Sequence, residues 1–443
     1  MNRFVLIVLL LSLFLASFQM VLPSSFAQTY VVSELWVNPM AVNDLAVSKD
    51  GSCIVAVNNT GIYYFTRNNP NPKWWYPTAE GENFLSVAVS ANGNYVVAGN
   101  DTGYILYFNN AKNRVGEQAS PTWTSEDLGS AVERKTLDIS DNGEYVVVGG
   151  TGTAVYYFSE CTTKTGTNQG YQYRIWLSDA VEVYAVDMSS DGKYIAAGGP
   201  DVDGGGFVMF RKDARTGSDD ESPTWYVGDL DGEIVDVAVS DDGYAVVAVT
   251  SAVPMPKTLY YWADASSYAD SPSATWTVKE RFSSVDMSSD GDKVVAGVKI
   301  FLACLHFWSN ARELTGTPEA DWVRLEGLQV LDVAISDDGN LIVATTSEGG
   351  PTYKAYFFTS DGTLIKETVL DQYSPIISMS EDGGLVAVGG SELDSLYVYV
   401  VEPVPVGGEV VPTNISASLI HILTFILVVA SLIGILTKKL VKI

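Results

Sequence analysis

The sequence predicts an all-β protein: an eight-bladed β-propeller closed by an N-terminal strand, plus one C-terminal transmembrane helix. Three observations carry that prediction. A phrase of about ten residues, clearest in VAVSDDGYAVVAV from Val237 and VDMSSDGDKVVAG from Val285, occurs eight times. Its turn glycines (Gly51, Gly93, Gly143, Gly192, Gly243, Gly291, Gly339 and Gly383) are 42 to 51 residues apart. At such a period each unit buries its apolar faces only against its neighbours. Inside each unit the apolar residues alternate as in strands, with no helical periodicity. At both chain ends an uncharged apolar run replaces the repeat.

Taken in order, residues 1–27 read as a secretory signal peptide: Arg3, an apolar run from Phe4 to Leu15, then Ser25 and Ala27 before Gln28. Residues 28–401 hold the repeats. Each unit opens with an alternating run such as DVAVS, turns through Ser-x-Asp-Gly and continues in a β-branched run. A polar hairpin then leads to an aromatic strand, such as IYYF, ILYF, VYYF or LYYW. After a longer loop comes a strand that usually opens with tryptophan: Trp74 or Trp75, Trp123, Trp176, Trp225, Trp276 and Trp322, with Leu364 in the seventh unit. Four short strands per unit and glycine-marked turns indicate propeller blades. Trp36 precedes the first phrase and no counterpart follows the eighth. The strand around 32–37 is therefore expected to complete the last blade, whose other three strands come from 374–401. A seven-bladed ring with one detached unit is the alternative.

Residues 402–417 read as a Pro/Gly-containing tether. Residues 418–437 carry no charge and are long enough for a membrane-spanning helix. Residues 438–443, with Lys438, Lys439 and Lys442, read as a short cytoplasmic tail. The expected location is the cell membrane, single-pass, with the propeller on the extracellular side. Sequons at Asn58, Asn100 and Asn414 are the candidate glycosylation sites.

The chain has 443 residues, 47% of them apolar and 18% charged, with 53 acidic against 26 basic side chains and a net charge of −27. Such a surface repels nucleic acid and attracts cations and basic partners, so no nucleic-acid partner is expected. Cys53, Cys161 and Cys304 are scattered without CxxC spacing, which suggests no disulfide framework and no zinc site. With two histidines, His306 and His421, most His-dependent catalysis is excluded.

VAVSDDG, YVVAG, the GNDTG hairpin and YILYF resemble the WD-repeat pattern, and the PTW and ADW strands are similar to those of quinoprotein-like propellers. The resemblance spans roughly residues 30–401 and implies the fold, which hosts many unrelated activities. The Trp-Asp pair, the upstream Gly-His and a repeating quinone-docking Thr-Gly-Lys are all absent. The WD-repeat strand order puts the hairpins between second and third strands on one face, with the loops entering each innermost strand. A tether leaving from the opposite face would turn that hairpin face away from the membrane.

Three sets of residues are candidates for function. The innermost strands carry Asp44, Asp236 and Asp332 at one position and Asp138, Asp187 and Asp286 two residues further along, hence on one strand face. One reading is an acidic axial mouth that holds Ca²⁺. The other is that each aspartate accepts hydrogen bonds from backbone amides. Asp201 and Asp203 before Gly204 form a partial Asp-x-Asp-Gly cation loop. The hairpins 200–206, 250–258 and 346–354, around Asp203, Met255 and Tyr353, differ most between units, and variable loops on a rigid scaffold often bind partners. The repeated Ser-x-Asp-Gly turns and the tryptophans read as structure, and KDARTGSDDESP (212–223) as a solvated connection. The leading function is a membrane-tethered extracellular module that binds a protein or glycan partner. The alternatives are a quinoprotein-like dehydrogenase, a glycan hydrolase using axial carboxylates, and a structural envelope component.

Overall fold

The computed structural model describes residues 28–404 except 80, 119, 151, 219–220, 252–256, 300–302, 350–351, 372–374 and 391–394. They form eight sheets, each built from four antiparallel strands of a meander, and two of the sheets gain a fifth, parallel strand (Gly116–Glu117 and Gly166–Gln169). Blades 1 to 7 occupy residues 44–77, 84–125, 137–176, 185–230, 234–279, 282–324 and 329–370. In blade 8, Ile376–Met379, Leu385–Gly389 and Leu396–Pro403 are completed by the N-terminal strand Tyr30–Asn38, which pairs with the third strand. The ring is thus closed by the two ends of the repeat region, and the seven-bladed alternative is discarded.

The transmembrane part of the expectation is corrected. Among the described residues no helix is long and apolar enough to cross a membrane. The signal (1–27), the candidate helix (418–437), the tail and Asn414 lie outside the described residues. Single-pass topology, membrane tethering and an extracellular location therefore have no structural support and are set aside.

The core lies between blades. Each second strand is a run of small and β-branched residues (Val246, Val247, Ala248 and Val249 in blade 5) with no exposed surface. Alternate side chains face opposite neighbours: Val247 and Val249 pack with Val285 and Val294 of blade 6, while Val246 and Ala248 pack with Ala196 and Val208 of blade 4. Burial of apolar surface on both sheet faces explains the near-continuous apolar runs.

The Ser-x-Asp-Gly turn joins first and second strands. In blade 5 the Ser240 hydroxyl donates to Asp242 (2.8 Å) and accepts the Ala245 amide (2.8 Å), while Gly243 takes φ +66°. The recurring tryptophan bonds the next blade. Trp74, Trp123, Trp225 and Trp276 donate their indole N–H to carbonyls of Ala111, Cys161, Ala265 and Ala311 (2.9–3.0 Å). Trp36 donates to Arg67 of blade 1 (2.7 Å), locking the ring closure.

Two expectations fail here. Trp176 does not take this role in blade 3: it is 51% exposed, and Tyr173 instead donates its hydroxyl to Ala214 (2.6 Å). Tyr173 lies in register with Tyr157 and stacks on it, which places its ring between blades. The 212–223 loop is not merely solvated either. Ala214–Thr216 is a 3-10 turn, and Glu221 bridges in parallel to Ile175 on the outer edge of blade 3. Equivalent loops cover the edges of blades 1, 2, 4 and 5, blunting strand edges that would otherwise invite pairing.

Candidate functional site

The six axial aspartates are brought to one channel, where they hydrogen-bond from blade to blade. Asp44, Asp236 and Asp332 accept the amides of Val87 (2.9 Å), Val285 (3.0 Å) and Ile377 (3.0 Å) on the next inner strand. Asp138, Asp187 and Asp286 accept those of Met188 (3.0 Å), Val239 (2.6 Å) and Ile335 (2.9 Å), again one blade on. Ser378 continues the series from blade 8 to Val47 of blade 1 (2.9 Å), and Ala88 occupies the place in blade 2. A carboxylate two residues further along reaches an amide two residues further along, which explains why aspartate occurs at either position.

Sequence reasoning missed the cations that pair with carboxylates in this channel. Lys135, from the loop entering blade 3, crosses the axis to Asp236 (2.6 Å) and Asp332 (3.5 Å), with Arg134 4.0 Å from Asp332. At the turn end Lys49 lies 3.0 Å from Asp141 and 3.9 Å from Asp337 and bonds the Ser190 hydroxyl. Burial works against the Lys49 charge, but Asp141, Asp241 and Asp337 push its pKa up to about 12. A signal existed: Lys49 is the single basic residue at the x of Ser-x-Asp-Gly, and Lys135 the single basic residue five positions before that serine.

Between the two lysines the channel holds cavities of about 200 Å³ and 270 Å³, lined by Asp138, Asp187 and Asp286. Burial lifts the carboxyls of Asp138 and Asp286 to about 7 and that of Asp44 to about 6, against the opposing effect of their amide bonds. Burial and the neighbouring Asp138 raise Asp187 as well. Burial also weighs on Asp332, but Lys135 and Arg134 outweigh it and hold its pKa below the usual value.

Each axial aspartate is engaged by a backbone amide, and among the described residues no group of three or more His, Cys, Asp or Glu side chains is arranged to hold a metal. Asp201 is 5% exposed and is spent on its own hairpin: Oδ1 accepts the amides of Asp203 (3.1 Å) and Gly205 (2.9 Å), and Oδ2 that of Asp229 (2.8 Å). Asp203 is exposed.

The hairpin face places the remaining candidates unevenly. Asn58 folds its amide over its own turn, accepting from Thr60 (2.8 Å) and Gly61 (3.1 Å). Asn100 is 1% exposed and accepts from Thr102 and Tyr104, so a glycan there requires that hairpin to open. Tyr353 is 6% exposed, and Met255 lies outside the described residues.

No family model matches the chain, and no curated protein matches it. Solved structures do. The chain is similar to the C-terminal WD40 domain of Sif2, at a TM-score of 0.59 and 13% identity, over 85% of this chain and 99% of that one. A likeness at that identity shows the fold alone, an eight-bladed β-propeller. The quinoprotein expectation gains nothing from it. Cavities of this size are smaller than the roughly 300–1,000 Å³ of ordinary ligand pockets.

Proposed function

We propose that this protein is a non-catalytic interaction scaffold that binds a protein partner on its hairpin face. The observation behind the reading is the state of the axis. The aspartates that could have formed a reaction centre are hydrogen-bonded to the next blade, and Lys49 and Lys135 pair with carboxylates at the two ends of the channel. The Ser-x-Asp-Gly turns of the opposite face repeat almost unchanged, while the hairpins differ in length and chemistry from blade to blade. Sequence diversity on a rigid ring is where recognition is placed in such scaffolds.

A photo-cross-linking amino acid at Asp203, compared with one at Asp382 on the turn face, tests this in the native cell. Stoichiometric protein adducts from the hairpin position support the scaffold. Adducts only from the turn face, or only to glycan, refute it as stated.

A further inference from the structure

We propose that the hairpin-face end of blades 3 to 5 is a docking surface for a partner's polypeptide segment that presents Lys or Arg among aliphatic side chains. The proposal deepens the scaffold reading and rests on it. Its apolar part consists of three exposed side chains. Trp176 is 51% exposed, the interblade bond of its strand being made by Tyr173. The Arg174 guanidinium lies 4.9 Å over its ring. The chain runs from Trp176 into the loop carrying Val181, 45% exposed, and this loop is sewn to the 200–206 hairpin carrying Val202, 59% exposed. The Val181 amide donates to Pro200 (2.9 Å) and the Val202 amide to Asp179 (2.9 Å).

The same segments set the exposed carboxylates Asp179, Asp203 and Asp229 beside the valines, while Asp231, on the following loop, accepts the hydroxyls of Thr258 and Tyr260. Asp229 is held against the hairpin through its amide bond to Asp201 (2.8 Å), and Gly206 pairs with Leu230. Lys257, in the hairpin of the adjoining blade, is 2% exposed and presents little charge outward. The hairpin is also preformed, since Asp201 caps it from within, so a ligand need not order it.

Charge sign selects the occupant. An apolar patch ringed by carboxylates favours a cationic segment with aliphatic side chains and disfavours nucleic acid. A second copy docking through the same patch would set carboxylate against carboxylate.

The test is calorimetric titration of the full chain with short peptides of alternating Lys and Leu, with Glu–Leu and Lys–Ser peptides as comparators. Binding by the Lys–Leu peptide alone is expected. It should weaken by about tenfold in the Val181→Asp/Val202→Asp and Asp203→Lys/Asp229→Lys variants. Asp338→Lys/Asp382→Lys on the turn face should leave it unchanged. Equal binding of Lys–Ser, equal loss from the turn-face variant, or no binding at all overturns the surface. Concentration-dependent dimerisation abolished by Val202→Asp would make a second copy the occupant and overturns it too. Cross-links from position 203 that persist in the Val181→Asp/Val202→Asp variant would sink this surface while leaving the scaffold intact.

Discussion

Lys135 shows how one side chain can hold distant blades. It adopts φ +67°, a conformation uncommon for a residue with a Cβ, and its ammonium reaches carboxylates of blades 5 and 7 across the axis. Lys135→Met would leave Asp236 and Asp332, each 6% exposed, without their shared cation. A loss of about 3 kcal/mol in denaturant unfolding is expected; an unchanged midpoint would refute the bridging role. The aspartates with raised pKa set a pH dependence of defined sign. Asp138 and Asp286, near 7 when folded, bind a proton more tightly in the folded chain than in the unfolded one. Their contribution is complete below about pH 4 and is lost as pH rises to about 7. Asp332, held low, acts oppositely: its contribution is present above the unfolded value and is lost as pH falls through its folded value. Calorimetric melting across this range should show Asp138→Asn/Asp286→Asn with a shallower fall towards neutral pH than the parent. Parallel curves would dismiss the two groups as its source.

At the scale of the element, each blade repeats the same locks with different side chains. Ser240→Ala removes a hydroxyl that serves both Asp242 and the buried Ala245 amide, so a cost of about 1–3 kcal/mol is expected by chemical denaturation. Blade 3 separates a lock from its lookalike. Tyr173→Phe, which deletes the bond to Ala214, should cost about 1 kcal/mol, whereas Trp176→Ala should stay within about 0.5 kcal/mol. The reverse order would restore Trp176 as the packing residue. The exchange was not legible because Tyr173 and Trp176 are three residues apart in the same short strand, and either aromatic satisfies the pattern. The edge-covering loops were legible in principle. NNAKN, SECTT, KDART, ADASS and SNARE repeat a left-handed residue followed by a buried Ala or Cys. The buried residue supplies the carbonyl that the preceding blade's Trp or Tyr bonds.

For the whole ring, closure is the decisive contact. The Tyr30–Asn38 strand completes blade 8, and Trp36 bonds blade 1 through Arg67. A chain beginning after Asn38 would leave the Leu396–Pro403 edge unpaired. It should lose its single cooperative melt and self-associate, as scattering would show; a monomer that melts like the parent would count against closure as the main lock.

By itself, the sequence determined the blade count, the strand order, the closing strand and the turn chemistry, because these depend on local periodicity and on residues such as Gly243 that suit one backbone conformation. Only the tertiary structure decided what the axial aspartates do. Their partners, the amides of the next blade and the Arg134–Lys135 pair from one remote loop, lie roughly 40 to 200 residues away. No pattern within one repeat encodes which amide a carboxylate meets, since that follows from how neighbouring blades twist around the axis.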